Sequence, residues 1–177
     1  MDPELLTPRR LILLRHAKSA WPDGMLDPDR PLAERGIADA TAAGPVLADL
    51  ADFTDADVVL CSPAVRTRAT WRLASQALSN PPAARFEPGI YGASAAEIID
   101  LIRSAPVEAR TVLVIGHEPT MSSTADLLAG PGSRKEDLAR LRAKYPTSAI
   151  AVFAVPVEWP AIEPKGTVLE QFLVPRG

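Results

Sequence analysis

Apolar residues gather in short runs separated by longer stretches of mixed character. Residues 11–14 (LILL), 58–61 (VVLC) and 112–115 (VLVI) are unbroken apolar segments of strand length, each bounded by charged or turn-forming residues. Such runs predict strands buried on both faces. Between and after them lie stretches of helical character at 33–50, 63–78 and 95–103, the last repeating its apolar positions at Ile98, Leu101 and Ile102. Two later apolar runs, 149–155 and 168–174, predict further strands joined by a proline-rich loop. The order strand, helix, strand, helix predicts an α/β fold of three layers, α/β/α, around a mostly parallel mixed sheet, since parallel neighbours need long crossovers and helices supply them. Gly44-Pro45 is expected to kink or interrupt the first helix. Ser62-Pro63 is expected to start the second cleanly, with serine as N-cap and proline in the first turn.

The chain of 177 residues shows no internal repeat and no composition break, so residues 1–177 are read as a single domain. Hydrophobic residues make up 47% and charged residues 23%, the balance of an ordinary globular domain. A formal net charge of -3 gives no general attraction to nucleic acid or to an anionic membrane, so any anion site must be local. Residues 1–10 place Asp2 and Glu4 before the arginines and lack a long apolar core, which argues against a signal peptide. No apolar run approaches the roughly 20 residues of a membrane span. The single cysteine, Cys61, has no internal partner for a disulfide, and a cytoplasmic protein is the expectation.

The chain has only two histidines, and each follows a predicted strand: His16 after 11–15 and His117 after 112–116. In open α/β sheets ligands bind beyond the carboxyl ends of the strands, so both imidazoles are aimed at the expected site. The strand 58–61 also ends there, opening a helix that bears Arg66 and Arg68. Arginine offers a planar fork suited to phosphate, and Arg15, next to His16, offers a second. A histidine or arginine alone at a strand end is more often structural than catalytic. Both histidines and two arginines meeting at one sheet edge predict a phosphate pocket.

Other chemistries fit less well. Cysteine-dependent phosphatases set a nucleophilic cysteine at a fixed short distance before an arginine, but here four residues separate Cys61 from Arg66 and six separate it from Arg68. Cys61 ends a buried run and is read as a small hydrophobe. The aspartates Asp23, Asp27 and Asp29 show no metal-ligand spacing and are read as a solvated loop, so no metal and no cofactor is expected. A phosphate-binding glycine-rich loop with its lysine is missing, against a kinase or ATPase.

Leu13-Leu14-Arg15-His16-Ala17 resembles the Arg-His-Gly or Arg-His-Ala motif of the histidine phosphatases. Gly116-His117-Glu118-Pro119 resembles their second histidine motif, and Ser62-Pro63-Ala64-Val65-Arg66-Thr67-Arg68-Ala69-Thr70 the segment between. Arg30-Pro31-Leu32 followed by Arg35-Gly36 resembles a further family stretch. Four elements in order, over roughly residues 10 to 130, make the chain similar to the small SixA-type phosphohistidine phosphatases, whose fold is phosphoglycerate-mutase-like.

The resemblance implies that His16 is the nucleophile, that Arg15, Arg66 and His117 complete the phosphate pocket, and that one strand after His117 is antiparallel. Arg68 matches no required position. Larger family members protonate the leaving alcohol with a carboxylic acid from an insertion. The corresponding stretch here offers Tyr91, Gly92 and Glu97; Glu97 is read as a surface helix residue, and Asp27, Asp29 and Glu118 stay open as donors. A weakly equipped acid suits phosphohistidine, whose imidazole departs without forming an alkoxide. The expected activity is metal-independent phosphohydrolysis through a phosphohistidine intermediate. The expected partner is a phosphorylated protein, or alternatively a small phosphorylated metabolite. A non-catalytic phosphate-binding module would have no need of both histidines.

Overall fold

A computed structural model describes residues 8–177; residues 1–7, most of the segment read above as no signal peptide, lie outside the described residues. Strands β1 (Arg9–Arg15), β2 (Val58–Cys61), β3 (Ala84–Phe86), β4 (Thr111–Gly116), β5 (Ile150–Val155) and β6 (Val168–Leu173) form one sheet in the order β3-β2-β4-β1-β5-β6. The first four are mutually parallel, and β5 runs against both β1 and β6. The three apolar runs of the sequence are therefore the adjacent central strands β2, β4 and β1, which explains their lack of polar alternation.

Helices α1 (Glu34–Leu50) and α2 (Val65–Ala74) cover one face, where Leu47, Trp71 and Ala74 pack on Ile12, Leu14, Leu113 and Ile115. Helices α3 (Ala95–Arg103), α4 (Thr120–Leu128) and α5 (Lys135–Ala143) cover the other, where Ile98, Ile102, Met121 and Leu141 pack with Leu11, Leu13, Val112 and Val114. Odd and even residues of each central strand thus serve opposite cores. The three α/β/α layers of the sequence reading are the observed architecture.

Two local expectations fail. Helix α1 runs unbroken through Pro45. Gly44 beside it is held against α2, where a Cβ would lie 2.6 Å from the Ala74 carbonyl oxygen, and this close helix contact outweighs the single backbone bond that proline forgoes. Nor is Ser62 an N-cap: α2 begins at Val65 with Ala64 in the capping place and no side-chain cap. Helices α4 and α5 and the three-residue strand β3 were not among the sequence expectations. The apolar stripe of α5 is short and its helix half exposed, so periodicity marks it poorly. Among the described residues no helix is long and apolar enough to cross a membrane.

Candidate active site

Strands β1 and β4 are neighbours in parallel register, Arg15 opposite Gly116, so the residues that follow them leave the sheet side by side. The ladder continues one residue beyond the strands. The His16 amide donates to the Gly116 carbonyl at 3.1 Å, the Ser62 amide to Ile115 at 3.0 Å and the Ser148 amide to the His16 carbonyl at 3.2 Å. The first and last of these bonds fix the His16 backbone on two sides, and its ring lies 5.3 Å from that of His117, centroid to centroid.

The nitrogens of His16 are differentiated by local structure. Nδ1 lies 2.7 Å from the Ala17 carbonyl oxygen, which can only accept, so Nδ1 bears the proton and Nε2 keeps its lone pair. Ala17 is pinned in turn: its amide donates to Thr70 Oγ1 at 3.0 Å, and the Thr70 hydroxyl donates to the Arg66 carbonyl at 2.7 Å. Thr70 thereby ties the helix that bears Arg66 to the loop that bears His16. Burial pushes the His16 imidazole down to about 3, against the Ala17 bond, and the cationic surroundings push the same way. The ring is neutral at physiological pH.

His117 is pushed down to about 4, first by burial and then by Arg66, with Asp27 opposing. Its Nε2 lies 2.7 Å from Ser62 Oγ. The tautomer in which the serine hydroxyl donates to Nε2 puts the ring proton on Nδ1, a buried nitrogen with no hydrogen-bond partner. Nε of Arg15 and Nε of Arg66 are likewise buried without partners. Three unsatisfied donors around one small site are costly in isolation, and a bound oxyanion is the group that satisfies such donors together. Arg15 is placed by a 2.7 Å bond from Nη1 to the Tyr145 carbonyl, and Tyr145, wholly buried, donates its hydroxyl to Leu13 at 2.6 Å.

The structure thus brings together Arg15, His16, Arg66 and His117. Arg68 stands on the outer side of α2, away from them. Cys61 is buried below the site in the α1/α2 core, and burial pushes its thiol up to about 12, so it has no thiolate to offer at neutral pH.

The solvated-loop reading of the aspartates needs correcting at Asp27. Arg66 donates through Nη1 to the Asp27 carbonyl at 2.7 Å and through Nη2 to its carboxylate at 3.0 Å. Arg30 donates to the same carboxylate at 2.9 Å, and so does the Tyr91 hydroxyl. These bonds, led by that of Tyr91, hold Asp27 far below the ordinary carboxylate range, which makes it an acceptor and a poor proton donor. Tyr91 also meets the His117 ring edge-on at 5.4 Å. Asp29 stays exposed, while Glu118 accepts from the Ser122 amide and hydroxyl at 2.7 and 2.8 Å. Glu97 closes a capping box with Ser94 at the start of α3.

The sequence reading held Ser62 and Thr70 only as members of the family-like segment, Tyr91 without a role and Asp27 as an open proton donor, and gave none of the four the contacts they make here. For Asp27 a signal existed: it stands three residues before Arg30 in the family-like stretch, at the distance that lets one carboxylate meet both arginines. Among the described residues no group of three or more His, Cys, Asp or Glu side chains is placed to hold a metal ion.

The chain is similar to known proteins over most of its length. The sequence profile of the histidine phosphatase superfamily (branch 1) matches residues 11–89. Uncharacterized protein Rv1276c of Mycobacterium tuberculosis (strain ATCC 25618 / H37Rv) is 44% identical over 164 residues, which cover 92% of this chain and 100% of the relative. A structure from Nakamurella multipartitia, provisionally named phosphohistidine phosphatase SixA, is 31% identical with a TM-score of 0.81, covering 94% of this chain and 96% of that one. A structure from Agrobacterium tumefaciens with the same provisional name is 32% identical with a TM-score of 0.76, covering 95% and 99%. The fold is phosphoglycerate-mutase-like.

Proposed function

The chain belongs to the histidine phosphatase superfamily, in its SixA-type branch, and from that premise we propose that it hydrolyses phosphohistidine in a protein, without a metal, by way of a phosphohistidine on its own His16. The observation that carries this reading is the state of His16: a neutral ring with Nδ1 tied to Ala17 and Nε2 left with its lone pair, beside three unpartnered donors.

Nε2 attacks phosphorus in line, the N–P bond of His16 forms and the bond to the leaving group breaks. Arg15, Arg66 and the Nδ1–H of His117 donate to the non-bridging oxygens, whose charge grows in the transition state. A substrate imidazole departs as the neutral ring once its other nitrogen bears a proton, so this step needs no strong acid. Water then attacks the phosphorylated His16, returning the imidazole and releasing inorganic phosphate.

The surroundings support a nitrogen leaving group over an anionic metabolite. The cavity beside His117 has a volume of about 400 Å³ and is lined by Asp27, Tyr91, Glu118 and Thr120, with Arg66 its only cation. A phosphorylated carboxylate such as a glycerate ester would meet the carboxylates of Asp27 and Glu118 there, and the guanidinium groups of Arg66 and Arg30 are already paired with Asp27.

Rapid quenching with labelled substrate tests the reading. Label should appear on His16, survive alkali and be lost in acid, and His16→Ala should abolish both label and turnover. Label on His117, with His16→Ala still turning over, would reverse the assignment of the two histidines. Across a panel of phosphohistidine protein, phosphoaspartate protein, sugar phosphates and an aryl phosphate, preference for a sugar phosphate by orders of magnitude would refute the protein substrate.

A further inference from the structure

The helix that delivers Arg66 has a second face that the phosphate site does not use. On α2, Val65, Arg68, Ala69 and Arg72 succeed one another at helical spacing and form one stripe, turned away from the buried Arg66, Thr67 and Thr70. Phe86, the last residue of β3, stands against the stripe, and together they line a groove of about 650 Å³. Val65 and Phe86 are 39% and 47% exposed, and the Arg68 guanidinium lies over the Phe86 ring, 4.9 Å from its centroid.

Two features separate this face from an ordinary solvated one. Arg68 and Arg72 sit one turn apart, where like charges repel, and among the described residues neither has a carboxylate partner, whereas Arg85 on β3 pairs with Glu87 at 3.0 Å. Stacking on Phe86 holds Arg68 without neutralising it, so both guanidinium charges stay open to a carboxylate from outside the fold. The groove also opens at the catalytic end of the sheet. Phe86 is in register with Cys61, and Cys61 with Ile115, two residues before His117. At about 4.8 Å per strand, β3 and β4 are roughly 10 Å apart. A protein surface covering the phosphate site over a standard footprint of about 800 Å² reaches the groove as well.

We propose that this groove docks the protein substrate, receiving an apolar side chain flanked by carboxylates on the substrate surface beside its phosphohistidine. The proposal rests on the phosphohistidine-protein reading of the active site. Charge complementarity selects the occupant: a chain of net charge -3 repels an acidic partner at long range, so binding one calls for a local cationic patch, and Arg68 and Arg72 are such a patch. Arginine and phenylalanine are enriched at interfaces, and stacking on Phe86 orders Arg68 before the partner arrives. Val65, Ala69 and Phe86 give the groove an apolar floor, which suits an aliphatic side chain better than a nucleic-acid backbone.

The test uses the full chain and two phosphohistidine peptides of equal length, one with leucine flanked by aspartate and glutamate, the other with lysines in place of those acids. An aryl phosphate serves as the reference substrate. The wild type should prefer the acidic peptide by roughly tenfold in kcat/KM, and added salt should weaken that preference. The Arg68→Glu/Arg72→Glu variant should lose it through KM, with aryl phosphate turnover held within about twofold. Arg68→Ala, a milder change, should show the same trend should the double variant fold poorly. Fluorescence anisotropy of the unphosphorylated acidic peptide gives a readout independent of the chemistry, and binding should be lost in the double variant and in Phe86→Ser.

Equal kcat/KM for the two peptides, with no binding of the acidic one, would overturn the docking site and leave phosphohistidine hydrolysis standing. Failure to hydrolyse either peptide beside normal aryl phosphate turnover would refute the substrate reading instead, and anisotropy alone would then decide the docking. Aryl phosphate turnover falling in step with peptide turnover in the variant would place the arginines in the catalytic machinery and overturn the proposal. So would a dimer dispersed by the double variant without peptide binding, or tighter binding of single-stranded DNA than of the acidic peptide.

Discussion

Taking the free protein from about pH 7.5 to about pH 5 should cost about 3 kcal/mol of stability through its two histidines. In the folded protein His16 is pushed down to about 3 and His117 to about 4, while an imidazole in the unfolded chain titrates near 6.5. Below about 6.5 the unfolded chain therefore takes up two protons that the folded protein refuses, and stability falls as the pH falls toward the folded values. His16, 7% exposed, contributes about 2 kcal/mol over this interval, and His117, which sees more solvent, somewhat less. Carboxylates titrate mainly below this window, and the chain has no other histidine, so the effect belongs to these two rings. With a urea slope of about 2 kcal/mol per molar, the midpoint should drop by about 1.5 M. His16→Asn should remove about 1 M of that drop, because the variant has one titrating ring fewer. Urea melts of both proteins across the interval provide the measurement. A wild-type midpoint that does not move, or a His16→Asn variant with the full wild-type dependence, would refute the claim that the free site holds its imidazoles neutral. The same neutrality keeps the nucleophile available in mild acid, so the enzyme's own contribution to kcat/KM should stay flat from about pH 8 to about pH 5.

Arg66→Ala should lower aryl phosphate turnover by roughly 10²-fold or more, the scale of a lost transition-state donor, while Arg68→Ala should change it little; the reverse order in steady-state kinetics would contradict the placement of α2. Turnover should survive exhaustive chelation, and vanadate should inhibit competitively; activity lost to a chelator and restored by one divalent ion would overturn the metal-free mechanism. Cys61→Ser should retain His16 labelling and turnover with a modest loss in melting temperature, and the native thiol should resist alkylation, since burial keeps it protonated. Gly36→Ala should destabilise the protein by about 2 kcal/mol or more and lower activity with it, because the new Cβ would stand 2.0 Å from the Lys18 carbonyl oxygen in the segment that follows His16. Urea melts and aryl phosphate assays of that variant measure both effects.

Apolar runs and their spacing were enough to read the three central strands, because strands buried on both faces have to be continuously apolar. From those strands the meeting of His16, His117, Arg15 and Arg66 follows as an expectation, since parallel strands deliver the residues after them to one edge. The expected break at Pro45 failed for a local reason with a distant cause: the helix is held by its contact with α2, and nothing near Pro45 in the sequence shows that contact. The partners of Asp27, Tyr91 and Ser62 were hidden in the same way. Asp27 lies 39 residues from Arg66 and 64 from Tyr91, and Ser62 lies 55 from His117. Their partnerships exist only once loops from separate crossovers have closed over the sheet end. The titration of the two imidazoles belongs to the same category, because desolvation is a property of the packed surroundings and not of the histidine or its neighbours in the chain. Local pattern therefore determined that His16, His117, Arg15 and Arg66 stand at one end of the sheet, and tertiary packing alone decided their protonation, their orientation and the groups that join and hold them.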